Sequence, residues 1–175
     1  MKTMLLFLLF ATSAFAQNAP NGTAAAPGCG PEGGGFKVKS NDRQHPFVQP
    51  EAGKALVYFL RDDKFFDSRP RPTLKWGMDG AWVGATQSNA YFYLSVDPGE
   101  HHLCTVWQTL VVLTADKQAA AAHFTAEAGG VYFFIARDIN HEGSREPAIK
   151  LGPVDSDEAQ LLMSTYAFST FQPKK

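Results

Sequence analysis

The segment RDDKFFDSRPRP, residues 61–72, gathers the densest mix of chemically capable side chains in the sequence: Arg61, Asp62 and Asp63, then Phe65, Phe66 and Asp67, then Arg69 and Arg71. Carboxylates beside guanidinium groups are the raw material of general acid–base chemistry, but that chemistry needs burial to move a carboxyl pKa. In a Pro-punctuated loop, charges mixed this closely read instead as solvated ion pairs. Phe65 and Phe66 cannot belong to a core strand in such a setting. Exposed aromatics beside Arg are typical interface anchors. The competing reading folds both rings back over the edge of the domain.

His101 and His102 raise the question of a metal, but neighbours on a strand point to opposite faces and cannot easily share one ion. His45, His123 and His141 are scattered, with no H-x-H, H-x-x-x-H or Cys-x-x-Cys spacing. Nor is there a G-x-S-x-G or another activated serine. No metal, no cofactor and no catalytic residue is therefore assigned, and the expectation is a protein that is not an enzyme.

Lys2, the apolar run at residues 4–10 and the ending Ala14-Phe15-Ala16 have the form of a secretory signal peptide, residues 1–16, cleaved near Ala16. The apolar run is far shorter than the roughly 20 residues that span a bilayer, and no later segment is longer. Cys29 does not sit directly behind that run, so lipidation is not expected. The expected location is extracytoplasmic, either periplasmic or secreted. Loss of residues 1–16 removes one Lys and leaves 15 basic against 17 acidic side chains, a formal charge of −2. A chain so balanced has no basic stripe for nucleic acid.

Two cysteines in an oxidising compartment point to one disulfide, Cys29 to Cys104. The alternative is a buried thiol in a strand and a free thiol in the leader.

The elements that must position these groups are short β-prone runs bounded by turn residues, the pattern of an all-β sandwich or barrel. Residues 17–50, rich in Ala, Pro, Gly and Asn, read as an irregular leader whose later half straps the domain. Residues 51–172 read as the β-sandwich domain. Its strands are expected at 54–60, 74–78, 82–85, 90–96, 101–107, 119–126, 131–136 and 148–151, with 109–113 continuing the fifth strand or starting a bend. Asp79-Gly80 suits a tight hairpin, and Asp97-Pro98-Gly99-Glu100 is read as the turn of a second hairpin. After Pro153, Asp155 with Glu158 three residues later caps an amphipathic helix carrying Ala159, Leu162, Met163 and Tyr166, expected to close the domain.

VYFLRD at residues 57–62 and VYFFIARD at 131–138 are near-copies that end in Arg-Asp. If they lie side by side and parallel, Arg61, Asp62, Arg137 and Asp138 converge at one end of the sheet near His141. With the loop, this gives a candidate binding surface of Arg61, Asp62, Phe65, Phe66, Arg69, Arg137, Asp138 and His141.

KALVYFLR at 54–61, MDGAWVG at 78–84, AYFYLSVDPGEHHL at 90–103 and GGVYFFIAR at 129–137 together resemble the bacterial domain-of-unknown-function family numbered 2846. The resemblance implies an exported, Ig-like or PEGA-like antiparallel β-sandwich of the transthyretin style, and carries no catalytic residues with it. The functional expectation is a non-enzymatic binding or assembly module of the cell envelope that engages a protein or glycan through loops at one end. The alternative is a small extracytoplasmic enzyme or metal-binding protein that uses the Arg, Asp and His cluster.

Overall fold

Residues 55–62 are apolar on both faces of a strand, which only a central, doubly covered position satisfies. In the computed structural model, which describes residues 28–63, 72–108, 119–139 and 148–174, this strand is β2 (Ala55–Asp62), and all eight of its residues are buried. It lies inside a six-stranded sheet ordered β1-β10-β5-β2-β8-β9. The other members are β1 (Phe36–Asn41), β5 (Ala90–Val96), β8 (Val131–Ile139), β9 (Ala148–Pro153) and β10 (Ala167–Pro173). A four-stranded antiparallel sheet, ordered β4-β3-β6-β7, faces it. That sheet contains β3 (Thr73–Met78), β4 (Ala81–Gln87), β6 (Gly99–Trp107) and β7 (Ala119–Ala126). The all-β sandwich is thus present, with two parallel pairs in its larger sheet, β2 with β8 and β10 with β5.

Alternation along β2 builds two cores. Ala55, Val57 and Phe59 face the smaller sheet and pack with Phe92 and Phe134 against Leu74, Trp76, Leu103 and Trp107. Phe59 stacks on Phe92 at 4.9 Å, Trp76 meets Phe59 edge-on at 5.4 Å, and the Trp76 indole N–H donates to Thr86 Oγ1 at 3.0 Å. Leu56, Tyr58 and Leu60 face the other way, with Tyr91, Phe133 and Ile135, under α1 (Ser156–Met163). Each such side chain contributes on the order of 1.5–3 kcal/mol when fully buried. The helix starts where Asp155 accepts from the backbone N–H groups of Asp157 and Glu158, and it buries Ala159 and Met163.

One connection is as expected, and two features are not. The β3–β4 hairpin turns at Asp79 and Gly80, both with positive φ (52° and 83°), as its dipeptide requires. The Asp97-Pro98-Gly99 link does not close a hairpin: β5 pairs with β2 and β10, β6 pairs with β3 and β7, and the link carries the chain from one sheet to the other. The reason is that β5 is apolar on both faces and is satisfied only deep in the larger sheet. The helix, moreover, does not end the domain. β10 follows it, pairing parallel with β5 at Ala167 and Phe168 and antiparallel with β1 along its length.

The leader contains a strand, β1, between two crossings. Residues 28–35 lie on the outer face of the smaller sheet, where Cys29 and Cys104 form a disulfide with Cα atoms 5.0 Å apart. Backbone meets backbone there: a Cβ on Gly77 would lie 2.5 Å from the Gly28 carbonyl oxygen, so neither position has room for a side chain. Lys75 Nζ donates to the carbonyls of Gly33 and Gly34, and Trp82 Nε1 donates to that of Pro31. Beyond β1, residues 45–48 cross the outer face of the larger sheet. The Val48 N–H donates to Tyr58 Oη at 2.7 Å and Tyr91 Oη donates to the Pro46 carbonyl at 3.3 Å. Both faces of β5 are therefore covered.

Candidate functional site

The parallel β2–β8 register sets Arg61 beside Ala136 and Asp62 beside Arg137, so the two Arg-Asp endings finish together. The structure brings Arg61, Asp62, Arg137 and Asp138 to one end of the larger sheet, and alternation divides them between its faces.

Arg61 and Asp138 point into the space between the sheets. Arg61 Nη2 donates to Asp138 Oδ2 at 2.8 Å and lies 3.5 Å from Asp63 Oδ2, and the three side chains are only 1–3% exposed. The guanidinium carbon sits 4.2 Å from the ring centroid of Trp107, on the opposite sheet. That cation–π contact compensates Nε and Nη1, which have no hydrogen-bond acceptor among the described residues. Burial pushes the Asp138 carboxyl up to about 7; Arg61 pulls it down, and Asp63, hydrogen-bonded to it, pushes it up again. Burial also lowers Arg61, against the field of the carboxylates around it. Asn89 Oδ1 accepts from the Asp63 N–H at 2.7 Å and ties the β4–β5 link to the same end.

Asp62 and Arg137 point to the outer face, beneath the start of α1. Arg137 Nε donates to Asp62 Oδ2 at 3.3 Å and Arg137 Nη2 donates to Glu158 Oε1. Tyr166 shares a hydrogen bond with Asp62; burial first, and then that carboxylate, raise the phenol above its ordinary value. The cluster therefore clamps helix to sheet.

Reading Arg61, Asp62 and Asp63 as solvated loop charges is corrected by their burial at 1%, 4% and 7% exposure. β2 remains doubly covered to its last residue, and the charged ending inherits that cover. Phe65, Phe66, Arg69 and His141 lie outside the described residues. Trp107, Glu158 and Tyr166 were not singled out from the sequence as members of this end; only the helical spacing of Glu158 and Tyr166 pointed towards the sheet.

A carboxyl held near neutrality is chemically able to give and take protons. As arranged, however, Asp138 Oδ2 is occupied by Arg61 and faces no solvent. At the far end of the sandwich, His101 and His102 do point to opposite faces. His101 Nδ1 bonds Asp79 Oδ2 at 2.6 Å and Nε2 bonds the Asp97 carbonyl at 2.8 Å. Two acceptors on one ring favour the doubly protonated form. Burial opposes that charge, the two hydrogen bonds outweigh it, and the pKa is raised. His102 meets His123 across the β6–β7 pair with ring centroids 6.3 Å apart. Among the described residues, no three His, Cys, Asp or Glu are placed to hold one metal ion, and no helix is long and apolar enough to cross a membrane.

Residues 51–152 match the model of the family described as Protein of unknown function (DUF2846). The chain belongs to this family. The DUF2846 span runs from just before β2 to β9, so Arg61, Asp62, Arg137 and Asp138 lie within it, whereas Glu158, Tyr166, β1 and β10 lie beyond it. No curated protein matches the chain. An NMR structure of a protein from Eubacterium rectale is similar over 60% of this chain and 92% of its own, at 10% identity and a TM-score of 0.37.

Proposed function

We propose that this DUF2846 protein is an exported, non-enzymatic β-sandwich that serves as a binding or assembly module of the cell envelope. It engages a protein or glycan through the loops at the Arg61–Asp138 end. The observation that carries this reading is the convergence of strand ends there. β2, β6 and β8 finish at this end, and β3, β7 and β9 begin at it, in register with one another. Segments 64–71, 109–118 and 140–147, which carry Phe65, Phe66, Arg69 and His141, lie in sequence between those strand ends. Function placed on loops over a rigid scaffold is the usual division of labour in sandwiches. Export is supported by the signal-like N-terminus and by the disulfide, which an oxidising compartment maintains.

Affinity capture from the extracytoplasmic fraction, with wild type and Phe65→Ala/Phe66→Ala as parallel baits, tests the reading. A partner held by wild type and lost by the variant supports it, and equal recovery by both removes the loop from the account.

The second reading, an extracytoplasmic enzyme or metal-binding protein, draws on the Asp138 carboxyl near neutrality. It requires that carboxyl to be freed from Arg61 when a substrate arrives.

A further inference from the structure

We infer that the cleft between residues 45–48 and α1 is a subsite for one pyranose ring of an uncharged glycan. The cleft has a volume of about 200 Å³ and is lined by His45, Phe47, Gln160, Met163 and Ser164. Its floor is aromatic. Phe47 lies nearly parallel to Tyr58 (9°, 5.6 Å) and Phe133 (12°, 6.5 Å), two side-by-side rings of β2 and β8. One face of Phe47 is thereby occupied, yet the residue remains 48% exposed, and Leu161 is the other exposed large apolar residue among those described. An aromatic ring supported from below and bare above is a platform rather than a core residue.

The rim supplies polar atoms that the fold does not use. His45 Nδ1 lies 2.9 Å from the Met163 carbonyl. A carbonyl can only accept, so Nδ1 carries a proton and donates, which leaves Nε2 to meet a ligand. The Gln160 amide makes no hydrogen bond among the described residues, which leaves two donors and an acceptor beside the platform. Ser164 Oγ donates to the Leu161 carbonyl at 2.6 Å and keeps its lone pairs. None of the described lining residues is Asp, Glu, Lys or Arg.

This combination selects a ligand class. A charged ligand would find no carboxylate, ammonium or guanidinium among the described lining residues. An apolar ring, such as a proline or phenyl group of a peptide, would cover Phe47 but make no hydrogen bond to the exposed amide and imidazole beside it. A pyranose has an apolar C–H face for the ring and equatorial hydroxyls that both donate and accept. The site is also preorganised, since Tyr58 and Tyr91 hydrogen-bond the strap while Ala159 and Met163 anchor the helix. It lies on the outer face of the larger sheet and does not depend on the loop reading above.

The test is an amide-resolved NMR titration of the full chain with three probes: the trisaccharide of N-acetylglucosamine, maltotriose and a proline-rich peptide. The proposal expects at least one trisaccharide at millimolar concentration to shift amides of residues 45–48 and 160–164. It also expects Gln160→Ala to weaken that binding about five- to tenfold, as the loss of one hydrogen bond does, and Phe47→Trp, which keeps the platform, to retain it. The remaining amides of each variant report whether the fold is intact. No shift with either sugar, binding of the peptide alone, or an unchanged dissociation constant in Gln160→Ala would overturn it.

Discussion

Arg61 and Asp62 are consecutive on β2, yet they serve opposite sides of the larger sheet. Arg61 reaches inward to Asp138 and the face of Trp107, while Asp62 reaches outward to Arg137 under the helix. One dipeptide therefore fastens the smaller sheet to one face of β2 and α1 to the other, at the end from which the long connections leave.

The inner half of that fastening is sensitive to the loss of one partner. Arg61→Met leaves the Asp138 and Asp63 carboxyls buried without their cation and should cost about 3–5 kcal/mol. Arg61→Met/Asp138→Leu removes both partners of the hydrogen-bonded pair and should lose clearly less. Urea unfolding of the two variants and wild type checks the order; equal losses would mean that the pair is not coupled.

Asp138 gives the fold a pH dependence whose sign follows from its raised pKa. The folded chain holds a proton on this group up to about pH 7, whereas the unfolded chain releases it near pH 4. Its contribution to stability is full below about pH 4 and is lost as pH rises through about 7. His101, also raised, adds a loss of the same sign at its own pKa. Asp138→Asn should flatten the fall in stability between about pH 4 and 7 relative to wild type, read from denaturant midpoints across that range.

The disulfide closes a loop between residues 75 apart in sequence, and its removal should cost about 4 kcal/mol on the chain-entropy account. Cys29→Ser/Cys104→Ser should unfold at lower denaturant than the oxidised wild type. It should also show faster amide exchange at residues 28–35, where the leader lies on the smaller sheet.

Most of the sandwich was legible because its strands carry strong signals. The two VYF runs announced adjacent strands of one type, and Asp79-Gly80 announced a hairpin. The Asp97-Pro98-Gly99 link was misread because its turn residues serve a crossing between sheets as readily as a hairpin. Only the doubly apolar β5 distinguished the two, and that is a tertiary fact. FKVKSN reads as leader and AFSTFQP carries no strand signal, because β1 is an edge strand and β10 joins it to the sheet, so neither shows a long apolar run. The charged end was recognised as a meeting of strands. Its burial was not, because the cover comes from Trp107 and Tyr166, distant in sequence.

Under the proposed function, partners are met at the Arg61–Asp138 end. Site-specific photocrosslinking in the native host measures this directly, with benzoylphenylalanine placed at Phe66 in one strain and at Gly129, in the turn at the opposite end of β8, in another. The account predicts a discrete adduct from position 66 and none from position 129; adducts from position 129 alone, or equally from both, would contradict it.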